Sequence, residues 1–348
     1  MRRIDKLREL LKENEAAYIT AYPDIFYYSG FQSPDARLII SKKHALIITD
    51  SRYLIQARHQ APELEVYDIK NKLDGAFGIV GAPVIGYQEE HISAAALARA
   101  QKAAPESEFI CMQECISGVR RIKEKGEIDR LRAAEELGDA AFSHILSFIK
   151  AGVSERDIAL ELEFFMRKNG ASGLSFETIV ASGARSAMPH GVASSKIIEK
   201  GDLVTLDFGC VLDGYCSDMT RTVAVGCLCE RGKEIYSVVK RAQAAALGAV
   251  CEGAELKAVD AVARNIITDA GYGDNFGHSL GHSVGIEIHE TPCFSPRAEG
   301  TVRSGNVITV EPGIYIEGFG GVRIEDLTAV YDGKTEILSK STKELLTI

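Results

Sequence analysis

Histidines and acidic residues that could bind a cation gather in the second half of the chain. Three of the eight histidines, His278, His282 and His289, fall within twelve residues and are interleaved with glycines. A fourth, His190, follows a Met-Pro step earlier in the sequence. Any one of them alone could serve a structural role. A group this tight indicates a shared site for binding or proton transfer.

One pair of carboxylates belongs to a predicted β-hairpin. Asp207 interrupts an apolar, strand-like run, and Asp218 follows the Asp213-Gly214 step. Asp-Gly between two strand patterns predicts a two-residue hairpin loop. That loop makes Asp207 and Asp218 diagonal neighbours on one face of the hairpin. Two carboxylates so placed repel each other unless a cation lies between them.

A second pair of carboxylates repeats the arrangement further along the chain. Glu311 ends another apolar run, a glycine-rich turn follows, and Glu325 lies beyond that turn. The geometry of this turn cannot be fixed from the sequence, so parity does not place the two side chains. Four carboxylates balance the charge of two divalent ions. Oxygen ligands with one or two imidazoles suit Mn²⁺, Co²⁺, Fe²⁺ or Zn²⁺, and the set indicates a two-metal hydrolytic centre.

The elements that carry these residues divide into two parts near Ser117-Gly118. Residues 1–117 alternate between helical and strand patterns and predict a small α/β domain, with a hairpin of strands 37–40 and 45–49. Residues 118–348 predict a second domain. It begins with a long charged helix. A second helix follows, which has Ser154 as its N-cap and ends at Asn169-Gly170. One helix over 230–271 is predicted among the later strands.

Composition excludes several classes of protein. The chain has 348 residues, which is room for about two domains at roughly 150 residues each. Its net charge of −9 argues against a nucleic-acid partner. No apolar run reaches the ~18 residues that a membrane span needs, and we expect no membrane partner and a cytoplasmic protein. The eight cysteines lack zinc-site spacing and are expected to be free thiols.

These motifs in this order resemble the creatinase/prolidase/methionine aminopeptidase family of pita-bread metallopeptidases. The matching strings are LDFG, SDMTRT, GHSVG, EPGIY and RIED, and they cover the chain from about residue 119 onwards. YSGF and TDSRY in the first third resemble the creatinase-type N-terminal domain, which methionine aminopeptidases lack. Ser279 and Ser283 depart from glycines common in the family, which affects loop packing rather than ligands. The resemblance implies an α+β fold with a C-terminal pita-bread catalytic domain and a smaller N-terminal α/β domain.

The resemblance also implies roles for individual residues. Metal ligands would be Asp207, Asp218, His282, Glu311 and Glu325, with Asp218 and Glu325 bridging two ions that hold a nucleophilic hydroxide. Glu311 would also act as general base and then acid. His190, His278 and His289 would line the substrate pocket and serve catalysis, with support of the site as an equal alternative for His278. Arg323 would pair with a ligand carboxylate or bind the substrate carboxylate, and the pairing is favoured.

The activity implied is hydrolysis of the Xaa-Pro bond in proline-containing peptides. The TDSRY string favours an Xaa-Pro aminopeptidase, and the alternative is an Xaa-Pro dipeptidase (prolidase). A non-catalytic pita-bread module that binds peptides or proteins, and creatinase itself, are disfavoured because the full carboxylate set is present. The cofactors would be two divalent ions, Mn²⁺ first, with Co²⁺ or Zn²⁺ as alternatives. A homodimer is implied by the same resemblance.

Overall fold

The computed structural model describes residues 3–348, and the chain divides between Arg120 and Arg121 into two compact units. We call them the N-terminal unit and the C-terminal unit. The predicted domain limits, 1–117 and 118–348, stay a prediction, and their first two residues lie outside the described part. Within residues 3–348, no helix is both long and apolar enough to cross a bilayer.

The N-terminal unit alternates helices and strands, as the sequence predicted. Its helices are α1 (Arg3–Leu10), α2 (Tyr22–Ser29), α3 (Leu54–Gln60), α4 (Leu73–Val80), α5 (Ala94–Ala103) and α6 (Gln113–Ser117). Its strands are β1 (Glu15–Ile19), β2 (Ala36–Ser41), β3 (Ala45–Thr49), β4 (Glu65–Asp68), β5 (Val84–Tyr87) and β6 (Glu108–Cys111). Short 3₁₀ turns lie at Ile69–Asn71 and, at the boundary with the second unit, Gly118–Arg121.

The strands of the N-terminal unit form one mixed sheet in the order β4-β3-β2-β1-β5-β6. The predicted hairpin is confirmed, because β2 and β3 pair in antiparallel register with Ile40 opposite Ala45. Apolar residues of these strands, such as Ile39 and Ile48, are buried in a core that also includes Phe77 of α4 and Ala100 of α5. Near-continuous apolar strands of this kind are typical of a sheet that helices cover.

The C-terminal unit carries longer helices and a larger set of strands. Its helices are α7 (Lys125–Ile145), α8 (Glu155–Lys168), α9 (Glu230–Ala249) and α10 (Leu256–Asp269). Its strands are β7 (Gly173–Leu174), β8 (Ile179–Ser182), β9 (Leu203–Phe208), β10 (Cys210–Leu212), β11 (Tyr215–Cys216), β12 (Met219–Ala224), β13 (Gly281–Ser283), β14 (Glu290–Phe294), β15 (Val307–Val310), β16 (Gly313–Ile316), β17 (Gly320–Arg323), β18 (Asp326–Tyr331) and β19 (Lys334–Ile337). Further 3₁₀ turns lie at Gly183–Ala187 and Gly273–Asn275.

The predicted single helix over 230–271 is wrong, because the chain breaks between α9 and α10. Gly253 takes a φ of +87° and its N–H donates to the Val302 carbonyl at 2.8 Å. The N–H of Val302 in turn donates to Ala254 at 2.9 Å. The Gly253 N–H and the Ala254 carbonyl therefore bond to Val302 instead of to the helix, and the helical hydrogen bonds cannot continue through this segment. The cap at Ser154 is confirmed, since its hydroxyl accepts from the Asp157 N–H at 3.1 Å.

Two sheets of the C-terminal unit carry the residues of interest. One runs β12-β9-β8, and α7 and α8 pack against it through a core that includes Leu206 and Phe208. The other runs β14-β13-β15-β18-β19, and α9 and α10 pack in a core that includes Ile308 and Val310. Side chains alternate along a strand, so Asp207 between Leu206 and Phe208 points away from the helices.

Candidate metal centre and active site

Asp207 and Asp218 meet on the hairpin that the sequence predicted. The Asp213-Gly214 turn joins β10 to β11, and the register continues so that Asp207 of β9 lies opposite Thr220 of β12. Asp218 precedes Thr220 by two positions, so it lies diagonally across from Asp207. The predicted diagonal pair is confirmed.

Glu311 and Glu325 also lie opposite one another, which the sequence could not decide. On one side of them Val310 pairs with Asp326, and on the other side Gly313 pairs with Arg323. The same register runs through both pairs. Glu311 and Glu325 are therefore at opposite positions of two adjacent chain segments, next to the ends of β15 and β18.

Glycines let these strands approach closely. A Cβ on Gly209 would collide with the carbonyl group of Ser217, and a Cβ on Gly281 would collide with that of Thr309. Glycine is the residue that permits such backbone contact. The first contact brings the chain before Asp218 against β9, and the second brings β13 against β15.

His282 of β13 completes the cluster. Its Nε2 lies 3.4 Å from Asp218 Oδ2 and 3.4 Å from Glu311 Oε1. Ligand atoms of Asp218, His282 and Glu325 all lie within 4.8 Å of one another. Asp207 is close enough to act electrostatically on the other three carboxyl groups and on His282. The structure thus brings all five predicted ligands together.

Burial and mutual repulsion raise the pKa values of three carboxyl groups in this cluster. Burial is the main cause that raises the pKa of Glu311 to about 8. Burial, followed by the neighbouring carboxylates, raises the pKa of Asp218 and Glu325 well above their ordinary values. Buried like charges disfavour the ionised state. A set of acids this crowded needs either protons or cations for neutrality.

Orphaned polar atoms show that cations fit better than protons alone. Among the described residues, Asp207 Oδ1 and Glu325 Oε1 are buried without a hydrogen-bond partner. His282 Nδ1 faces the Ser283 carbonyl at 3.2 Å, so Nδ1 carries the proton and Nε2 presents a lone pair to two carboxylate oxygens. Lone pairs that face one another in a buried site are the donor set of a divalent metal. The residues present therefore fit the metal centre that the sequence predicted.

Arg323 stabilises one edge of this cluster. Its guanidinium donates to Asp207 Oδ2, to the Tyr315 hydroxyl at 2.8 Å and to the Pro189 carbonyl at 3.1 Å. Its Nε donates to the Thr220 hydroxyl at 3.0 Å. The structure pairs Arg323 with the carboxylate of Asp207, the arrangement that the sequence favoured, while the role of Asp207 as a metal ligand stays a prediction. Binding of the substrate carboxylate by Arg323 stays a prediction.

A cavity of about 500 Å³ opens over the cluster. The three other histidines predicted for the site, His190, His278 and His289, line it. His190 and His289 are exposed in the cavity, and the His289 ring lies 4.4 Å from that of His282. His278 is more enclosed, and burial is the main cause that lowers its pKa to about 4. Apolar walls include Phe176 and Ile288.

Both ring nitrogens of His278 are engaged within the protein. Nδ1 lies 2.7 Å from the Ser279 carbonyl, so it carries the proton. Nε2 then accepts from the Tyr315 hydroxyl at 3.0 Å, and that hydroxyl accepts from Arg323. The hydrogen-bonded series His278–Tyr315–Arg323–Asp207 thus orients the carboxylate of Asp207, one of the predicted ligands.

Several residues of the site were missed from the sequence. Glu135 of α7 is fully buried and accepts from the Asp218 backbone N–H at 3.1 Å. Thr220 donates to Glu325 Oε2 at 2.7 Å, and Thr309 donates to Glu311 Oε1 at 3.1 Å. The threonines follow strand alternation toward the acids and could have been found by that signal. Glu135 lies on a charged helix and gave no signal.

Glu177 and Cys293 also line the cavity and were not singled out as site residues. Glu177 is exposed, and Cys293 is half-buried. All eight cysteines are free thiols, as the sequence predicted.

Comparison with known proteins agrees with this geometry. Residues 129–332 match metallopeptidase family M24, and residues 3–122 match the creatinase/prolidase N-terminal domain. The chain is 43% identical to the Xaa-Pro dipeptidase from Bacillus anthracis, with a TM-score of 0.95 over 99% of both chains. It is 38% identical to the Xaa-Pro dipeptidase of Pyrococcus horikoshii, over 99% of this chain and 98% of that protein.

A third similar protein carries a different name. The X-Pro aminopeptidase from Thermotoga maritima is 38% identical, with a TM-score of 0.92 over 98% of this chain and 99% of that one. These matches confirm the predicted fold class, a smaller N-terminal α/β domain followed in the sequence by an α+β pita-bread catalytic domain, and they confirm an enzyme. The chain belongs to metallopeptidase family M24, in the group that carries the creatinase/prolidase N-terminal domain.

Proposed function

We propose that this protein is an Xaa-Pro dipeptidase that hydrolyses the bond before proline in dipeptides. The observation that carries the proposal is the buried cluster of four carboxylates and His282, open to a cavity of about 500 Å³. Similar proteins named Xaa-Pro dipeptidase support the choice of substrate. The sequence placed the aminopeptidase first, and the similar proteins favour its alternative, the dipeptidase.

The metal centre would be held by Asp207, Asp218, His282, Glu311 and Glu325. We propose two divalent ions, Mn²⁺ first and Co²⁺ or Zn²⁺ as alternatives, because oxygen ligands with one imidazole suit these ions. When bound, such ions polarise a carbonyl group and make water a nucleophile at neutral pH.

Glu311 is the residue we propose to move the proton. Its Oε1 is occupied by the Thr309 hydroxyl and lies near His282, which leaves Oε2 to accept a proton and return it to the leaving nitrogen.

His190 and His289 are the residues we propose to contact the substrate. Within residues 3–348 neither ring makes a hydrogen bond, so each can donate to a carbonyl or carboxylate oxygen in the cavity. His278 would act differently, because both of its nitrogens already bond inside the protein. We propose that His278 holds Tyr315, and through it Arg323, in position. The pyrrolidine ring of proline would lie against Phe176 and Ile288.

One observation favours the aminopeptidase as a second candidate. Among the described residues that line the cavity, Arg323 is the one permanently charged cation, and four of its five N–H donors bond to Asp207, Tyr315, Pro189 and Thr220. The free carboxylate of a dipeptide would therefore be bound by histidines rather than by an unpaired cation. A longer peptide needs no such partner.

Hydrolysis of Ala-Pro, Ala-Pro-Ala and Ala-Ala by the Mn²⁺-loaded protein tests the proposal. We expect kcat/KM for Ala-Pro to exceed that for Ala-Pro-Ala at least tenfold, with no turnover of Ala-Ala. Faster release of alanine from Ala-Pro-Ala would establish the aminopeptidase instead. No cleavage of any proline peptide by metal-loaded protein would overturn both. His44→Asn, outside the lining residues, serves as the matched control for His289→Asn.

The homodimer implied by the family resemblance and the cytoplasmic location expected from the sequence remain part of this proposal. Sedimentation of the full chain would test the first, since a single species at the mass of two chains is expected. A monomer at micromolar concentration would contradict it.

A further inference from the structure

The N-terminal unit contains a cavity of about 460 Å³ that the peptidase reaction does not use. It lies among β1, β2, α4 and α5 and the turn before α4. Four cations from three separate segments line it: Arg37 of β2, Lys72 of the turn before α4, and Arg99 and Lys102 of α5. Asp74 is the one acid among the described lining residues. The lining thus has three net positive charges, although the whole chain is negative.

Asp74 is the one counter-charge among the described lining residues, and it forms an ion pair with none of these cations. Among residues 3–348, none of the four side chains forms an ion pair with a carboxylate or a hydrogen bond. Two acids, Asp35 and Asp50, line the adjoining cavity together with Arg37 and Arg99, but both already pair with Arg52. Like charges gathered in this way repel one another and call for an anion.

Tyr18 supplies a buried donor at the same cavity. Its side chain is only 1% exposed, and its hydroxyl has no hydrogen-bond partner among the described residues. Its ring packs on Phe77 at 5.3 Å, which fixes its direction. Burial raises the pKa of Tyr18, and the charges of Arg37 and Arg99 oppose that rise, so both cations lie near the hydroxyl. The β1–β2 register places Tyr18 and Arg37 diagonally on one face.

Strain in the backbone marks the same place. Lys72 takes φ 65° and ψ 157°, a conformation that residues other than glycine rarely adopt. Its carbonyl accepts from the Tyr67 hydroxyl at 2.9 Å, which holds the turn. Arg99 and Lys102 are three positions apart on α5 and therefore share a face.

We propose that this cavity binds a small organic phosphate with two to three negative charges. A phosphate monoester has a charge of roughly −1.5 to −2, and a diphosphate adds about one more, which approaches the net charge of the lining. Guanidinium groups match phosphate oxygens geometrically, and Tyr18 adds a neutral donor. The apolar part of the ligand would pack on Ile69, Leu73 and Ala103, which line the cavity. Nucleoside mono- and diphosphates have this chemistry.

Calorimetric titration of the full, chelator-treated chain at low salt tests the site with ADP, AMP, inorganic phosphate, adenosine and succinate. We expect ADP to bind most tightly, AMP and phosphate more weakly, and adenosine not at all. Arg37→Met and Arg99→Met should each weaken ADP at least tenfold, and Tyr18→Phe roughly 2- to 12-fold. Lys43→Met, an exposed lysine of the β2–β3 turn outside the lining, is the control and should leave affinity unchanged.

Three results would overturn the proposal. The first is that neither ADP, AMP nor phosphate binds at millimolar concentration. The second is that both arginine variants bind ADP with unaltered affinity. The third is that succinate binds as tightly as AMP. Arg99 is an exposed residue of α5, so its variant keeps the test decisive if Arg37→Met unfolds.

Discussion

Replacing Arg323 with methionine separates the role of Asp207 in folding from its role as a metal ligand. Methionine keeps much of the side-chain volume but provides no donor. The change leaves Asp207 Oδ2 without its cation, and the Tyr315 hydroxyl and Pro189 carbonyl without a donor. The side chains of Arg323 and Asp207 are only 4% and 12% exposed, so water can replace the lost partner only in part.

The magnitude follows from that burial. Removing one member of a buried ion pair costs about 3–5 kcal/mol because the other charge is left uncompensated. For a unit of this size each kcal/mol lowers the unfolding temperature by about 2–4 °C, which gives a drop of roughly 6–20 °C. In metal-loaded protein a divalent ion would remain beside Asp207, so we expect a clearly smaller drop.

Scanning calorimetry of wild type and variant, with chelator and with Mn²⁺, measures both numbers. Arg132→Met is the control, because Arg132 pairs with Asp129 and Glu336 at the surface of the same unit. Such exposed pairs contribute about 0–1 kcal/mol with or without metal. An equal loss of stability for Arg323→Met in both conditions would refute the reasoning, since Asp207 would then have no cation besides Arg323.

Further changes test the remaining parts of the site. Asp218→Ala or Glu325→Ala should abolish turnover, as kcat on Ala-Pro will show; near-normal rates would exclude the two-metal centre. His289→Asn should lower kcat while metal content stays unchanged, and a parallel loss of metal would reassign it as structural. Thr220→Val should weaken Mn²⁺ binding about 10- to 100-fold in a competition assay, because it releases Glu325 Oε2. Chelated protein should lose stability as pH rises from about 5 to 8, because the raised pKa values of Asp218, Glu325 and Glu311 mean that the native state keeps protons the unfolded chain releases. The slope is about 1.4 kcal/mol per pH unit for each such proton, and Mn²⁺ should remove it; urea midpoints that rise with pH would contradict this.

The first half of the metal cluster could be predicted because its geometry is local. A two-residue Asp213-Gly214 loop fixes the strand register, and the register fixes the diagonal of Asp207 and Asp218. Glu311 and Glu325 flank a longer glycine-rich turn with several possible registers. Their position is set by the register of β15 and β18, which are neighbours in the sheet.

What the sequence could not reveal depends on contacts between distant segments. Glu135 is one of many charges on α7, and only the packing of that helix on Asp218 gives it a role. The break between α9 and α10 depends on hydrogen bonds to Val302, more than forty residues away. The cations around Tyr18 come from separate elements and form no motif. These are the places where tertiary structure overrides local pattern.

Metal content per chain after dialysis against Mn²⁺ tests the central claim most directly, since the proposed function depends on one site built from five ligands. We expect two equivalents bound to the wild-type chain, measured by elemental mass spectrometry, and a loss of at least one in Asp218→Asn. A wild-type chain that keeps no stoichiometric metal, or a variant that keeps both equivalents, would contradict the account.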